Sequence, residues 1–184
     1  MRSTIVSSLI WLFGMVPAFA RERQIDLERS MLIVHVQKSG LLSAAGHEHT
    51  VMAPIADGSI DDGNEPRVNF RVMSSTMTVQ PEEHQSQVQH TMQERVLESA
   101  RYSEIRFTSQ AIKSTGDGRW IVVGDLSLHG QVKKIQVTVS KLQEIYIGEA
   151  TIKQTDFGIQ PVSAAGGTIK VKNELKINFT IATK

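Results

Sequence analysis

Apolar and polar residues alternate with a period of two through much of the chain, most clearly from Thr168 to Lys184. There Ile169, Val171, Leu175, Ile177, Phe179 and Ile181 share one face, and Lys170, Lys172, Glu174, Lys176, Asn178 and Thr180 share the other. One dry and one wet side is the pattern of a half-buried strand in an antiparallel sheet. Asn173 interrupts the apolar row, so a bend at Lys172-Asn173-Glu174 is expected to divide the stretch into two strands. Upstream, Ile105 and Phe107 alternate with Arg106 and Thr108, and Gly116-Asp117-Gly118 supplies turn residues. Trp120, Val122, Leu126 and Leu128 then alternate with polar neighbours. A second turn at Gly130-Gln131 leads to Ile135, Val137 and Val139, and a further run carries Tyr146, Ala150 and Ile152 on one face. These segments predict a four-strand meander.

Shorter strand candidates precede it: Ser30 to Val36, His47 to Met52, Ile55 to Ile60, and Arg67 to Met73. Asp61-Asp62-Gly63-Asn64 forms a turn between the last two. One segment has helical spacing. Pro81 opens it with Glu82 and Glu83 in the first turn, Val88, Met92 and Val96 recur every four residues, and the helix is expected to end near Ala100. About eight antiparallel strands with one short helix make an all-β domain, either a barrel or a sandwich, and closure into a barrel would remove the exposed edges.

Composition narrows the chemistry. The 184 residues contain no cysteine, which removes zinc fingers, disulfide frameworks and thiol nucleophiles together. Lys and Arg number 20 against 19 Asp and Glu, so no charged tail points to nucleic acid. Residues 1 to 20 read as a secretory signal peptide: Arg2 near the start, an apolar run from Leu9 to Val16, and Ala18-Phe19-Ala20 as a small-x-small cleavage signal. That run is shorter than the ~20 residues a bilayer span needs, so the protein is not expected to span a membrane. Cleavage near Ala20 would leave one domain, residues 21 to 184, with 19 basic and 19 acidic residues, in the periplasm or secreted. Its large rings are few: Trp120, Phe70, Phe107, Phe157, Phe179, Tyr102 and Tyr146. A barrel of Val, Ile, Leu, Ala and Gly with so few rings tends to leave interior space.

Several local patterns, in order, resemble the YceI-like family over nearly all of residues 21 to 184. Ile25-Asp26 with Arg29-Ser30, Val34-x-Val36, Ser39-Gly40, Gly46-His47-Glu48-His49 and Gly58-Ser59-Ile60 carry the first half. Val96-Leu97-Glu98 with Tyr102-Ser103-Glu104-Ile105-Arg106-Phe107 and Gly124-Asp125-Leu126-Ser127-Leu128-His129-Gly130 carry the second. Thr155-Asp156-Phe157-Gly158-Ile159 and Gly166-Gly167 before Lys172-Asn173-Glu174-Leu175 complete it. The resemblance implies a lipocalin-like antiparallel β-barrel whose lumen binds and sequesters or carries a long apolar molecule: a polyisoprenoid, a quinone-type lipid or a fatty-acyl derivative. It implies a binding protein, with no cofactor, in the periplasm. A homodimer is an admissible assembly.

The residues expected to line such a lumen are Phe107, Trp120, Val122, Leu126, Val137, Tyr146, Phe157, Ile177 and Phe179, with Val88 and Met92 of the helix covering one mouth. Taken singly, each is more readily read as ordinary core; as a set, their place at a lumen is what the resemblance implies. His47 and His49, two apart, would project from one strand face ~6.6 Å apart along the chain. With Val51 on the same face they could hold a lipid's oxygenated head. The alternative is a metal site, which would need further ligands from His35, His84, His90 or His129. For catalysis the sequence has no G-x-S-x-G elbow, no H-E-x-x-H and no phosphate-binding glycine loop. The D-F-G stretch lacks the companions that would make it a kinase motif.

Overall fold

The computed structural model describes residues 22–39, 49–80, 85–164 and 169–184. Residues 1–20, and with them the signal-peptide expectation, lie outside the described residues, as do His47, Pro81 to His84 and Gly166-Gly167.

The strands run in chain order as β1 (Glu22–Val36), β2 (Lys38–Ser39), β3 (His49–Asp61), β4 (Arg67–Met73), β5 (Thr78–Gln80), β6 (Glu104–Gly116), β7 (Arg119–Leu128), β8 (Gln131–Leu142), β9 (Ile145–Lys153), β10 (Ser163–Ala164), β11 (Ile169–Val171) and β12 (Glu174–Thr183). Helix α1 (Gln85–Thr91) lies between β5 and β6. Eight strands pair antiparallel in the order β1-β12-β9-β8-β7-β6-β4-β3, and β3 pairs again with β1. The sheet is therefore a closed barrel, with the small sheet β10-β11-β2 attached.

The meander β6 to β9 follows the alternation directly. The first two pairs are joined by tight turns in which Asp117 and Gly118 have φ of 51° and 67°, and His129 and Gly130 have 51° and 71°. Positive φ at both central residues is the two-residue hairpin geometry that matches strand twist. Asn173 divides the last stretch into β11 and β12. Its side chain accepts a hydrogen bond from the Thr155 backbone N–H and donates to the Thr155 hydroxyl, so the bend is tied to the Gln154–Phe157 turn.

The N-terminal half departs from the pattern in two places. First, β1 begins at Glu22 rather than Ser30, although Glu22 to Arg29 carries few apolar residues. Arg23 pairs with Ile60 and Ile25 with Thr183, so partners on both sides hold it extended. Its register shifts between Asp26 and Met31, and the buried Ser30 hydroxyl bridges that gap, accepting from the Ala182 N–H at 2.9 Å. Second, the two strands expected at 47–52 and 55–60 are one strand, β3. Pro54 does not break it. On one edge β3 pairs with β5 through Met52 and with β4 from Ile55, so Pro54 falls where the Ser74–Thr76 turn already interrupts the ladder. A missing N–H is tolerated at such a gap.

The helix is shorter than its spacing predicts. After Thr91 it widens into a π-turn at Met92–Val96, closed by the Leu97 N–H on the Met92 carbonyl at 2.8 Å. Gln89 and Gln93 anchor it, both donating to the Met77 carbonyl. Among the described residues no helix is long and apolar enough to cross a membrane.

Candidate functional site: an apolar lumen with a charged rim

Alternation places one side chain in two inside the barrel, and here those side chains do not fill it. A cavity of about 320 Å³ runs through the lumen, within the range of small-molecule pockets. All eight barrel strands contribute to its wall, for example Leu32 and Val34 from β1, Ala53 from β3, Phe70 from β4 and Ile135 from β8. Along β12 it is lined by Leu175, Ile177, Phe179 and Ile181, six residue steps or roughly 20 Å of strand. Val96, Leu97 and Ile159 meet it at one end, and Asp61 to Gly63, Pro66 and Arg67 of the β3–β4 turn meet it at the other.

Two glycines help shape the wall. A Cβ on Gly124 would stand 2.5 Å from Cζ of Phe107, and one on Gly148 would stand 2.5 Å from Cζ of Phe179. Each ring tip takes the space that a Cβ on the neighbouring strand's glycine would fill, so the bare glycines make room for the large rings at the wall.

Phe107, Trp120, Val122, Leu126, Val137, Tyr146, Ile177 and Phe179 line the cavity. Phe157 does not: it is 1% exposed, within the turn Gln154–Phe157, packed in the core beneath the helix-covered end. Ile159, two residues on, reaches the cavity instead. Val88 and Met92 pack against the same apolar cluster without lining the cavity. The π-turn brings Val96 and Leu97, one turn later, over the cavity in their place. His49 opens β3 opposite Val36, away from the cavity lining, and His47 lies outside the described residues. The lining residues not anticipated, such as Val139 and Ala150, sit on the same parity as anticipated neighbours.

The candidate metal ligands are dispersed. His35 Nε2 lies 2.9 Å from Asn178 Oδ1, and His90 pairs with Glu94. His129 Nδ1 lies 3.2 Å from the Phe157 carbonyl, and its Nε2 lies 3.2 Å from Glu98 Oε1. Among the described residues no three His, Asp or Glu side chains converge on a point that could hold a metal ion.

At the β3–β4 turn the apolar wall gives way to a charged rim. Arg23 Nη2 donates to Asp62 Oδ2 at 2.6 Å and to the Tyr146 hydroxyl at 2.9 Å. The Tyr146 hydroxyl in turn donates to Asp62 Oδ2 at 3.0 Å. Lys141 Nζ reaches the same oxygen at 3.4 Å and stands over the Tyr146 ring, while Arg23 Nη1 reaches Glu144 at 3.0 Å. Burial by itself would raise the Asp62 pKa; the Tyr146 hydrogen bond and the Arg23 and Lys141 charges outweigh it and hold the carboxyl below its ordinary value. Burial likewise opposes the Lys141 charge, but Tyr146 and Asp62 outweigh it and keep the ammonium above its usual range. Nothing in the local sequence marks Arg23, Asp62 or Lys141 as neighbours.

An eight-stranded barrel with a glycine-smoothed apolar lumen and a helix over one end agrees with what the sequence patterns resemble, and the YceI-like domain model matches residues 24–183. The chain belongs to the YceI-like family. It is similar to UPF0312 proteins from Pseudomonas savastanoi pv. phaseolicola and Pseudomonas syringae pv. tomato, 31% and 33% identical over 106 residues. Each match covers 52% of this chain and 53% of the relative, so the chain spans about half the length of the curated relatives it matches. Among solved structures, Burkholderia cenocepacia BcnA superposes with a TM-score of 0.60 at 16% identity, over 87% of this chain and 99% of that one. A polyisoprenoid binding domain from Saccharophagus degradans gives 0.57 at 16%, over 88% and 97%. The Campylobacter jejuni YCEI protein gives 0.53 at 14%, over 81% and 85%. At these identities the YceI-like barrel is shared as a fold.

Proposed function

We propose that this YceI-like protein binds and sequesters or carries one long-chain apolar molecule in its barrel lumen, as a binding protein rather than an enzyme. The ligand class is polyisoprenoid, quinone-type or fatty-acyl lipid. The observation that carries this reading is the continuous apolar cavity of about 320 Å³, walled by all eight strands. Each methylene moved from water into such a lumen contributes about 0.8 kcal/mol, so affinity grows with chain length. Immobilising the tail offsets part of that gain, and a preformed wall keeps the loss small. The similarity to a fold described as a polyisoprenoid binding domain supports the same class. We further propose that the protein works in the periplasm or outside the cell after cleavage near Ala20, a location where a lipid in transit needs shielding from water.

The test is organic extraction of the protein purified from its native host, followed by mass spectrometry. One prenyl or acyl species near stoichiometric amount is expected. Repeated recovery without lipid, together with no binding of added polyprenol, quinone or fatty acid, would sink the reading. Sequencing the N-terminus of the exported protein should find Arg21 first.

A further inference from the structure

The charged rim and the apolar lumen are parts of one surface. Tyr146 and Asp62 both line the cavity, and both belong to the cluster with Arg23 and Lys141. Two cations and a phenol therefore converge on a single carboxylate oxygen where the hydrocarbon wall ends. The members differ in how firmly they are held. Arg23, Lys141 and Tyr146 stand on β1, β8 and β9, with side chains of Arg23 and Lys141 only 15% and 25% exposed. Asp62 sits on the turn between β3 and β4 with its side chain 43% exposed, so it is the member able to swing out to water. Arg23 also keeps a donor in reserve: its Nε is buried and has no acceptor among the described residues. A guanidinium offers a planar fork of donors suited to two-point recognition of a carboxylate or phosphate, and Asp62 with Glu144 engages only the two terminal nitrogens.

We propose that the Asp62 carboxylate is an internal stand-in for the anionic head of the ligand, and that a lipid oxyanion displaces it from Arg23, Lys141 and the Tyr146 hydroxyl. This deepens the lumen reading and rests on it. The tail lies in the cavity, the head replaces Asp62 at the rim, and Asp62 turns out to solvent. A neutral head of the same length gains the lumen but leaves the Asp62 ion pairs in place. The site thus selects acyl carboxylates or lipid phosphates over alcohols with identical tails, and the empty rim stays neutralised by its own acid.

The experiment is competition binding of hexadecanoate, hexadecyl phosphate and hexadecanol, each below its aggregation concentration, to full-length exported protein. The variants are Lys141→Gln, Arg23→Gln and Asp62→Asn, with Lys134→Gln as a charge-matched control on the outward face of β8 and circular dichroism as the check on folding. One or both anions should bind at least tenfold more tightly than the alcohol, and which anion leads identifies carboxylate or phosphate as the source. Lys141→Gln should reduce that ratio at least threefold, and Asp62→Asn, which removes the competing acid, should raise it at least threefold. Should Arg23→Gln fail to fold, the two other variants still decide. Equal binding of acid and alcohol by the wild type, or a ratio unmoved by Lys141→Gln and Asp62→Asn, overturns the headgroup site and leaves the lumen reading standing. Failure of all three lipids to bind overturns the headgroup site, and the lumen reading falls with it only when added polyprenol and quinone also fail to bind.

Discussion

At the scale of single residues, charge and shape decide what the lumen tolerates. Asp62 is held below its ordinary pKa in the folded protein, so it binds a proton less readily there than in the unfolded chain. The stability it contributes is present above the unfolded value near 4 and is lost as pH falls through the folded value. Urea melts from pH 7 to pH 2.5 should therefore show a larger acid loss for wild type than for Asp62→Asn, with the difference confined below about pH 4. Equal slopes would mean that the rim contributes nothing to acid stability. Gly148 tests shape. A Cβ there would meet the Thr138 carbonyl at 2.1 Å and the Phe179 ring at 2.5 Å, so Gly148→Ala must shift backbone or drive the ring into the cavity. A loss of about 1–3 kcal/mol is expected from overpacking, with weaker lipid binding beyond it. Gly148 and Gly124 were readable as strand residues but not as lumen-shaping ones. Their role depends on a ring across the ladder, which local sequence does not identify.

At the scale of elements, the helix-covered end of the barrel is assembled by side chains that tie separate loops together. His129, in the β7–β8 turn, reaches the Phe157 carbonyl and Glu98, and its ring lies 4.3 Å from that of Tyr102. One residue thus joins a hairpin, the 3-10 turn after β9 and the chain following the helix. His129→Ala removes the partner of the Phe157 carbonyl and of the half-exposed Glu98 carboxylate, and a loss of about 0.5–1.5 kcal/mol is expected. In a domain of this size, calorimetry should record a fall of about 2–4 °C for each kcal/mol. A melting temperature within a degree of wild type would show that the three segments are held by apolar packing alone. The meander was legible because each of its strands carries its own alternation and two of its three turns contain glycine. The start of β1 was not, since Glu22 to Arg29 is extended by partners on either side rather than by its own pattern. Pro54 misled for a related reason: whether a proline breaks a strand depends on what stands on its edge, here the interruption between β4 and β5.

At the scale of the whole molecule, a rigid sheet encloses more volume than its inward side chains fill. Ala150 is a small residue on the lumen wall, paired across the sheet with Val137 and Ile177. Ala150→Phe should occupy the lumen and abolish lipid recovery while circular dichroism still reports the barrel. Retention of ligand at full occupancy would place it outside this cavity. Inward parity identifies many of the wall residues from sequence. The charged rim was invisible there because Arg23 and Asp62 lie 39 residues apart, and Arg23 and Tyr146 lie 123 apart. Only closure of the ring brings them to one place.

That closure has a consequence for biogenesis. The seam joins β1 to β12, made long after it, through pairs such as Leu32 with Phe179. Until the last strand arrives, a nascent chain has two raw edges and no enclosed compartment, and pairing across so long a sequence separation is slow. On the proposed function, filling of the lumen therefore waits until this seam has closed.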